Sequence, residues 1–357
     1  MSILEVNFQH QFSSGFKLDI DFKVDHQITS IFGASGSGKT SILAMIAGLK
    51  SPKEGRILLN DRILYENWSK INVPIHQRRV GVIFQDHLLF PHLNVEANLK
   101  YAIHGHGFTK EQPDFDRVCN ILEINNLLSR YPKSLSGGEC QRVAIGRTLL
   151  SSPEALLMDE PLASLDDRLK DSILNYLERI IEEWNIPAIF ISHNQSLVQR
   201  FSSHTIIIDQ GRVLSAGATS STIEKYGPDI WKSPKGPMNW LKIESHEIRK
   251  GFRYGFVFGQ KIQLPLTSEN INIDSCIQFS ASEVVLSQTP QTNISSRNHL
   301  NGKVIRFVEQ DSDVLVGIDI GKTIWSKITI AAKKDLNLEI GSSIYCLIKT
   351  QALEYFP

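Results

Sequence analysis

Gly33-Ala34-Ser35-Gly36-Ser37-Gly38-Lys39-Thr40 is the stretch that decides the fold. It runs glycine, four residues, glycine, lysine, then a hydroxyl residue, the spacing of a loop that cradles nucleotide phosphates. Ahead of it, Ile28-Thr29-Ser30-Ile31-Phe32 is a β-branched and aromatic run suited to a buried strand; behind it, Ile42, Leu43 and Ile46 recur at helical spacing up to Gly48. The context is strand, loop, helix. Glycines let backbone N–H groups turn inward, and the helix directs its positive end at the same point, so the loop favours anions. Gly33, Ser35, Gly36, Gly38 and Ser41 are expected to line the phosphates. Lys39 is expected to reach the β- and γ-phosphates as a point charge, and Thr40 to offer its hydroxyl to Mg²⁺.

Working outward, residues 3 to 8 and 16 to 24 alternate apolar with polar, as half-buried antiparallel strands do. Phe12 lies in the turn between them. Its ring suits either stacking on an adenine or simple packing. Val80-Gly81-Val82-Ile83-Phe84 reads as a further buried strand ending at Gln85, a candidate site residue if it points at the phosphate loop. From Glu111 to Leu128 the pattern is helical and amphipathic. His104-Gly105-His106 precedes it without a carboxylate or cysteine at ligand spacing, so a surface loop is the better reading than a metal site.

Leu135-Ser136-Gly137-Gly138-Glu139 opens a helix running to about Leu150, and Ser136 with the glycines forms a second helix-N-terminal nest. Ala155-Leu156-Leu157-Met158 is a continuous apolar run, hence a strand buried on both faces, and it ends in Asp159-Glu160. Two adjacent carboxylates there are costly unless they meet a metal or a reacting group. Asp159 is expected to hold Mg²⁺ through water, and Glu160 to orient or deprotonate the attacking water. Ser164-Leu165-Asp166 leads into a helix from Arg168 to Glu183. One more strand, Ile189 to Ser192, ends at His193, where a contact to the γ-phosphate is the favoured role.

Composition sets outer limits. A chain of 357 residues exceeds the usual size of one core, so two domains are expected. Lys plus Arg and Asp plus Glu both number 38, a balance that gives no support to binding nucleic acid through its backbone. With 41% hydrophobic and 21% charged residues nothing marks the chain as disordered. Cys119, Cys140, Cys276 and Cys346 form no Cys-x-x-Cys pair, which speaks against a zinc site or a disulfide framework and suits a reducing compartment. No run approaches the roughly 20 apolar residues needed to span a bilayer.

Taken in order, the phosphate loop, Gln85, Leu135-Ser136-Gly137-Gly138, Asp159-Glu160, Ser164-Leu165-Asp166 and His193 resemble the ATPase subunits of ABC transporters over about residues 1 to 230. The resemblance implies an α/β P-loop NTPase of ABC type with antiparallel β and helical subdomains. It also implies a head-to-tail homodimer. Each ATP then lies between Lys39, Thr40, Asp159 and Glu160 of one chain and Ser136 and Gly138 of the other, with Asp166 among the nucleotide-site residues. Gln85 would sense Mg²⁺ and pass closure to two membrane permease subunits docked over about 86 to 132. Cys140 departs from the Lys, Gln or Arg that such chains commonly carry there.

Beyond a proline- and glycine-rich linker, Trp231 to Pro237, come short strands such as Phe252 to Phe258, Cys276 to Phe279 and Val284 to Ser287. From Ile294 to Lys349 the rhythm is that of a small β barrel. Ser295-Ser296-Arg297-Asn298, a spacer and Gly302-Lys303-Val304 resemble the Ser-Ala-Arg-Asn and Gly-x-Val signature of molybdate-binding domains, with Ser296 in place of the alanine. Ser295, Arg297, Asn298 and Lys349 are the oxyanion ligands that this resemblance implies; hydroxyls, an Arg fork and a Lys suit a tetrahedral dianion. The alternative is a structural β domain that steadies the dimer.

The expected organisation is therefore an ATPase domain at 1–230, a linker with accessory strands at 231–290, and an OB-like oxyanion-binding β domain at 291–357. End to end the chain resembles the ATP-binding subunits of bacterial molybdate importers. That implies ATP and Mg²⁺ as ligands, a peripheral place on the cytoplasmic face of the inner membrane, and an extracytoplasmic oxyanion-binding protein as an indirect partner. Tungstate and sulfate remain open as the transported anion. A ribosome- or DNA-directed ATPase is disfavoured by the single cassette and the lack of a heptad stretch.

Overall fold

The computed structural model describes residues 3–25, 28–84, 86–104, 114–162, 165, 167–192, 195–230, 235–266, 276–310 and 312–356. The chain divides into two compact units, Met1–Thr222 and Ile223–Pro357.

The first unit is built on one sheet whose two halves follow from two kinds of strand. Half the strands alternate: β1 (Leu4–Gln11) and β2 (Lys17–Val24) pair antiparallel, and in β2 every second residue is buried. β4 (Glu54–Leu59), β5 (Arg62–Glu66) and β6 (Ile71–Asn72) extend this antiparallel half. The other half uses apolar runs covered on both faces. β3 (Ile28–Phe32), β8 (Ala155–Asp159), β9 (Ala188–Ile191) and β7 (Val80–Ile83) pair in parallel, and β10 (His204–Asp209) runs parallel to β3 before turning back into β11 (Arg212–Ala218). The order is β6-β5-β4-β1-β2-β11-β10-β3-β9-β8-β7. Such parallel strands bring their C-terminal ends to one edge, where sites in open α/β sheets form.

Helix α1 (Lys39–Ala47) follows β3, and its residues Ile42 to Ala47 are buried in the core shared with β1, β2 and β4. Its C-terminal carbonyls are met by a buried arginine. Arg78 donates from Nη1 to the carbonyls of Met45 (2.9 Å) and Ile46 (2.8 Å), from Nε to Val73 O and from Nη2 to Asn72 Oδ1. A cation at a helix C-terminus is the favourable end of the macrodipole. Burial nevertheless pushes the Arg78 guanidinium down to about 10, so it remains charged at neutral pH.

Between β7 and β8 lies a helical region: α2 (Val95–His104), α3 (Phe115–Ile121) and α4 (Gly137–Leu150). The helix expected from Glu111 to Leu128 is shorter than its apolar pattern. Asp114 caps α3 by accepting the Asp116 N–H, and the chain leaves the helix at Glu123, whose φ is +51°. Arg142 of α4 takes the Leu122 and Glu123 carbonyls, both at 2.9 Å, which fixes that end before a 3₁₀ turn at Asn125–Leu127. Helices α5 (Asp167–Trp184) and α6 (Gln195–Phe201) follow, and α7 (Thr219–Ile230) runs from the end of the first unit into the second.

The second unit is antiparallel. β12 (Met238–Lys242), β16 (Cys276–Ser280) and β22 (Glu354–Phe356) form one sheet, with order β12-β16-β22. β13 (Ser245–Arg249), β14 (Phe252–Val257) and β15 (Gln260–Leu264) form a second. β17 (Val285–Ser287), β18 (Asn298–Gln310), β19 (Asp313–Asp319), β20 (Thr323–Thr329) and β21 (Ser343–Ile348) form a third, with order β17-β21-β18-β19-β20. Residues on both sides of position 290 share sheets, and Leu241, Val257, Ile277, Leu300, Val316 and Ile348 share one core. Asn239 of β12, 3% exposed, exchanges two hydrogen bonds with the Trp325 backbone at 2.8 and 2.6 Å, tying the first sheet to the third. Gly302 sits where β18 meets β19; a Cβ there would lie 2.6 Å from the Asp319 carbonyl oxygen.

Candidate functional site

The loop between β3 and α1 takes the form that its glycines permit. Gly36 and Gly38 have φ of +80° and +104°, a region that residues with a Cβ rarely adopt. Lys39 folds back over the loop, its Nζ donating to the Gly33 and Ala34 carbonyls at 2.8 Å each and lying 3.4 Å from the buried Ser37 hydroxyl. Burial lowers the Lys39 pKa, and the nearby Asp159 and Glu160 carboxylates offset that in part. The ammonium is therefore partly stripped of water and strongly disposed to pair with an anion.

Across the sheet, β8 delivers the carboxylates. The Thr40 hydroxyl donates to Asp159 Oδ2 at 2.6 Å, and Asp159 is 8% exposed. A hydroxyl and a carboxylate side by side are hard oxygen donors, the set that suits Mg²⁺. Glu160 follows in the left-handed region, φ +50°. Its N–H donates to the Ile191 carbonyl at 3.0 Å, its Oε2 accepts from the Ser192 hydroxyl at 3.2 Å, and its own carbonyl accepts from Gln141 Nε2 at 3.1 Å. The strand ends thus hold Glu160 in place beside the loop.

A cavity of about 350 Å³ opens from the loop and is lined by Phe12, Ser14, Phe16, Gly36, Gly38, Lys39, Thr40 and Ser41. Phe12 is half-buried in a tight turn, its N–H donating to Phe16 O and its carbonyl accepting from Gly15 N–H. Lys50 Nζ lies 5.4 Å from the Phe12 ring centroid, and the His10 ring meets it edge-on at 4.5 Å. Ser35 is exposed beside this mouth.

Ser136 begins α4 with a reciprocal cap. Its N–H donates to Glu139 Oε2 at 2.7 Å, and its hydroxyl accepts the Glu139 N–H at 3.3 Å. The Ser136 backbone N–H, with its hydroxyl, holds the Glu139 carboxyl below the usual range. Neither Ser136 nor Gly138 lines the cavity at the phosphate loop. Gln85, Asp166 and His193 lie outside the described residues, as does Ser164.

In the second unit Arg297 and Lys349 flank the Asn298–Ile348 pair of β18 and β21 but line different grooves. Arg297 lines a groove of about 560 Å³ with Phe252, Tyr254, Lys261 and Gln263. Lys349 lines another of about 320 Å³ with Lys235, Ser280, Glu283 and Glu354. Ser295 is exposed. Asn298 is fully buried, and its Oδ1 accepts the Gln263 N–H at 2.6 Å. Among the described residues no cluster of His, Cys, Asp or Glu is arranged to hold a metal, and no helix is long and apolar enough to cross a membrane.

Phe16, Ser14, Ser37, Ser192 and Gln141 join the site without having been picked out from the sequence. The alternation of residues 16 to 24 carries Phe16 to the cavity side of the hairpin. Gln141 meets Glu160 through tertiary packing that no local pattern records.

The phosphate loop on a mixed sheet, with an acid pair at the end of the parallel strand β8 two places from β3, defines an ATPase of the ABC transporter class. Residues 18–163 match the family model described as ABC transporter, and residues 294–354 match the TOBE domain. A dimeric bacterial ABC transporter cassette superposes with a TM-score of 0.53 at 23% identity, covering 60% of this chain and 98% of that one. The cbiO1 subunit from Clostridium perfringens covers 62% of this chain and 90% of its own, with a TM-score of 0.50 at 26% identity. The chain is 38% identical over 353 residues to a molybdenum import ATP-binding protein of Photorhabdus laumondii, spanning 98% of both chains. To the protein of the same name from Vibrio vulnificus it is 37% identical over 347 residues, 93% of this chain and 92% of that one. The chain belongs to the molybdenum import ATP-binding protein family.

Proposed function

We propose that this chain hydrolyses ATP to drive molybdate import, as one of two ATP-binding subunits set against two membrane permease subunits. The observation that carries the chemistry is the Thr40–Asp159 contact at 2.6 Å, which joins the phosphate loop to the acid pair beside it. Lys39 neutralises the β- and γ-phosphates. Glu160, oriented by Ser192, accepts a proton from water as the water oxygen bonds to the γ-phosphorus and the bond to the β,γ-bridging oxygen breaks, leaving ADP and phosphate. Thr40 and Asp159, with Gln85, would hold Mg²⁺, which supplies neutralisation of phosphate charge. Phe12 and Phe16 wall the side on which the base would stack. His193 contacts the γ-phosphate in this reading.

Ser136 and Gly138 stand apart from their own subunit's cavity, which supports their use, with Asp166, at the site of a second copy bound head to tail. The subunit would sit at the cytoplasmic face of the inner membrane and receive its anion indirectly from an extracytoplasmic binding protein. Molybdate or tungstate held by Ser295, Arg297, Asn298 and Lys349 would lower ATP hydrolysis when the anion is plentiful. Arg297 and Lys349 line different grooves, which favours a second reading of the C-terminal unit as structural; in that reading another anion such as sulfate would be the cargo.

Vesicles carrying the assembled complex test both. ATP-dependent accumulation of molybdate, with sulfate excluded, is the expected result; uptake of sulfate alone would overturn the assignment of the anion. Molybdate added on the ATP side should slow hydrolysis, and Arg297→Ala should remove that response.

A further inference from the structure

Helix α4 reaches the reacting end of the sheet through a residue that belongs to no phosphate-binding motif. Gln141, 1% exposed, lies on the second turn of α4, five positions after the cap residue Ser136, and its Nε2 donates to the Glu160 carbonyl at 3.1 Å. Glu160 needs such a partner. Its φ of +50° is a conformation that a residue with a long side chain keeps only where its surroundings hold it. The Ile191 carbonyl takes its N–H, Ser192 takes its carboxylate and Gln141 takes its carbonyl, so the turn is gripped on three sides. Rotation of the peptide after Glu160 would swing the carboxylate off Ser192, and a misplacement of about 1 Å at a reacting group costs roughly a hundredfold in rate.

We propose that Gln141 is a positioning residue for hydrolysis: it locks the Glu160 backbone in its left-handed turn and so ties the general base of each subunit to the helix that begins at Ser136. This rests on the reading of Glu160 as general base. The capping box makes the first turn of α4 rigid, so a force on Ser136 or Gly138 from a nucleotide at the opposite site is carried along one helix to Gln141. The base at one site then responds to occupancy of the other. A purely structural role would instead satisfy a buried amide and leave chemistry untouched.

Three full-length variants separate these roles. Gln141→Met keeps size and helix preference but cannot donate; its kcat should fall by about tenfold or more while KM for ATP stays within about twofold. Gln141→Glu presents a carboxylate to the carbonyl at pH 8, and burial raises its pKa, so its rate relative to wild type should recover as pH falls towards 6, where the protonated acid can donate. The double variant Gln141→Met/Glu160→Gln should still form the ATP-trapped dimer, because folding, binding and closure do not pass through this contact. A kcat within twofold of wild type for Gln141→Met, no recovery of Gln141→Glu at low pH, or loss of the trapped dimer in the double variant overturns the positioning role. Near wild-type turnover by Glu160→Gln alone overturns the general-base reading itself, whatever the Gln141 variants do.

Discussion

The phosphate loop of the first unit and the Ser295–Asn298 segment of the second both look like anion sites in sequence, yet they place their residues differently. In the loop, residues close in sequence converge: the Gly33 and Ala34 carbonyls and Ser37 gather around the Lys39 ammonium, and the next residue, Thr40, meets Asp159. In the second segment they diverge. Ser295 and Arg297 are exposed, while Asn298 begins a strand and is buried against the Gln263 N–H. A glycine-rich turn bends its backbone around a ligand, whereas in the second segment only Asn298 is held in a strand, where its side chain faces the core, and the residues before it lie outside regular structure. A contiguous motif is therefore a stronger guide to a site where the whole motif lies in one turn.

The sharpest way to break this contrast is to remove the cation of the first region. Lys39→Met should lower ATP affinity by about a hundredfold or more, measured by calorimetry, because a buried charge-assisted contact to phosphate is lost. The same change should remove a pH dependence from the stability of the nucleotide-free protein. Burial lowers the Lys39 pKa, so between the folded and unfolded pKa values the unfolded chain holds more protons and the stability of the wild type rises with pH. Measured in urea, the stability of Lys39→Met relative to wild type should accordingly fall as pH rises towards the unfolded lysine value of about 10.4. A relative stability that does not change with pH would show that burial does not depress the Lys39 pKa.

Arg78→Met tests whether the far end of α1 matters to the loop at its start. It leaves the carbonyls of Ile46 and Val73 without this donor, while Met45 O keeps the Gly48 N–H, and it should cost about 3 kcal/mol by chemical denaturation. In the second unit the expected effects are smaller and opposite for neighbours. Asn298→Ala should destabilise by about 1 kcal/mol, because the half-buried Gln263 N–H loses its acceptor. Arg297→Ala should leave thermal stability unchanged within about 0.5 kcal/mol. Equal losses for the two would erase the contrast between the buried Asn298 and the exposed Arg297.

Much of the first unit was legible because its strands advertise their burial. Ile28–Phe32 and Ala155–Asp159 are apolar on both faces, and residues 17–24 alternate, so type and neighbours follow from pattern. The helix Thr219–Ile230 was not legible, since Gly227-Pro228 within it reads as a turn. Nor was α2, whose start depends on Asn94 accepting the Ala97 N–H at 2.8 Å. The second unit hid its organisation in pairings between distant segments: β22 closes on β16, and Asn239 holds Trp325 across 86 residues. At the acid pair, Asp159 and Glu160 stood out as residue types. What holds Glu160, namely Ser192, Ile191 and Gln141, comes from three separate elements and has no local spacing to betray it.

In the proposed mechanism the loop and the acid pair form one hydrolytic site with Glu160 as its base. Phosphate release by the purified chain with Glu160→Gln, run beside ATP binding to the same variant, is the decisive measurement. Turnover should fall by about a hundred- to ten-thousandfold with ATP still bound; phosphate release within a few-fold of wild type would contradict the role of Glu160.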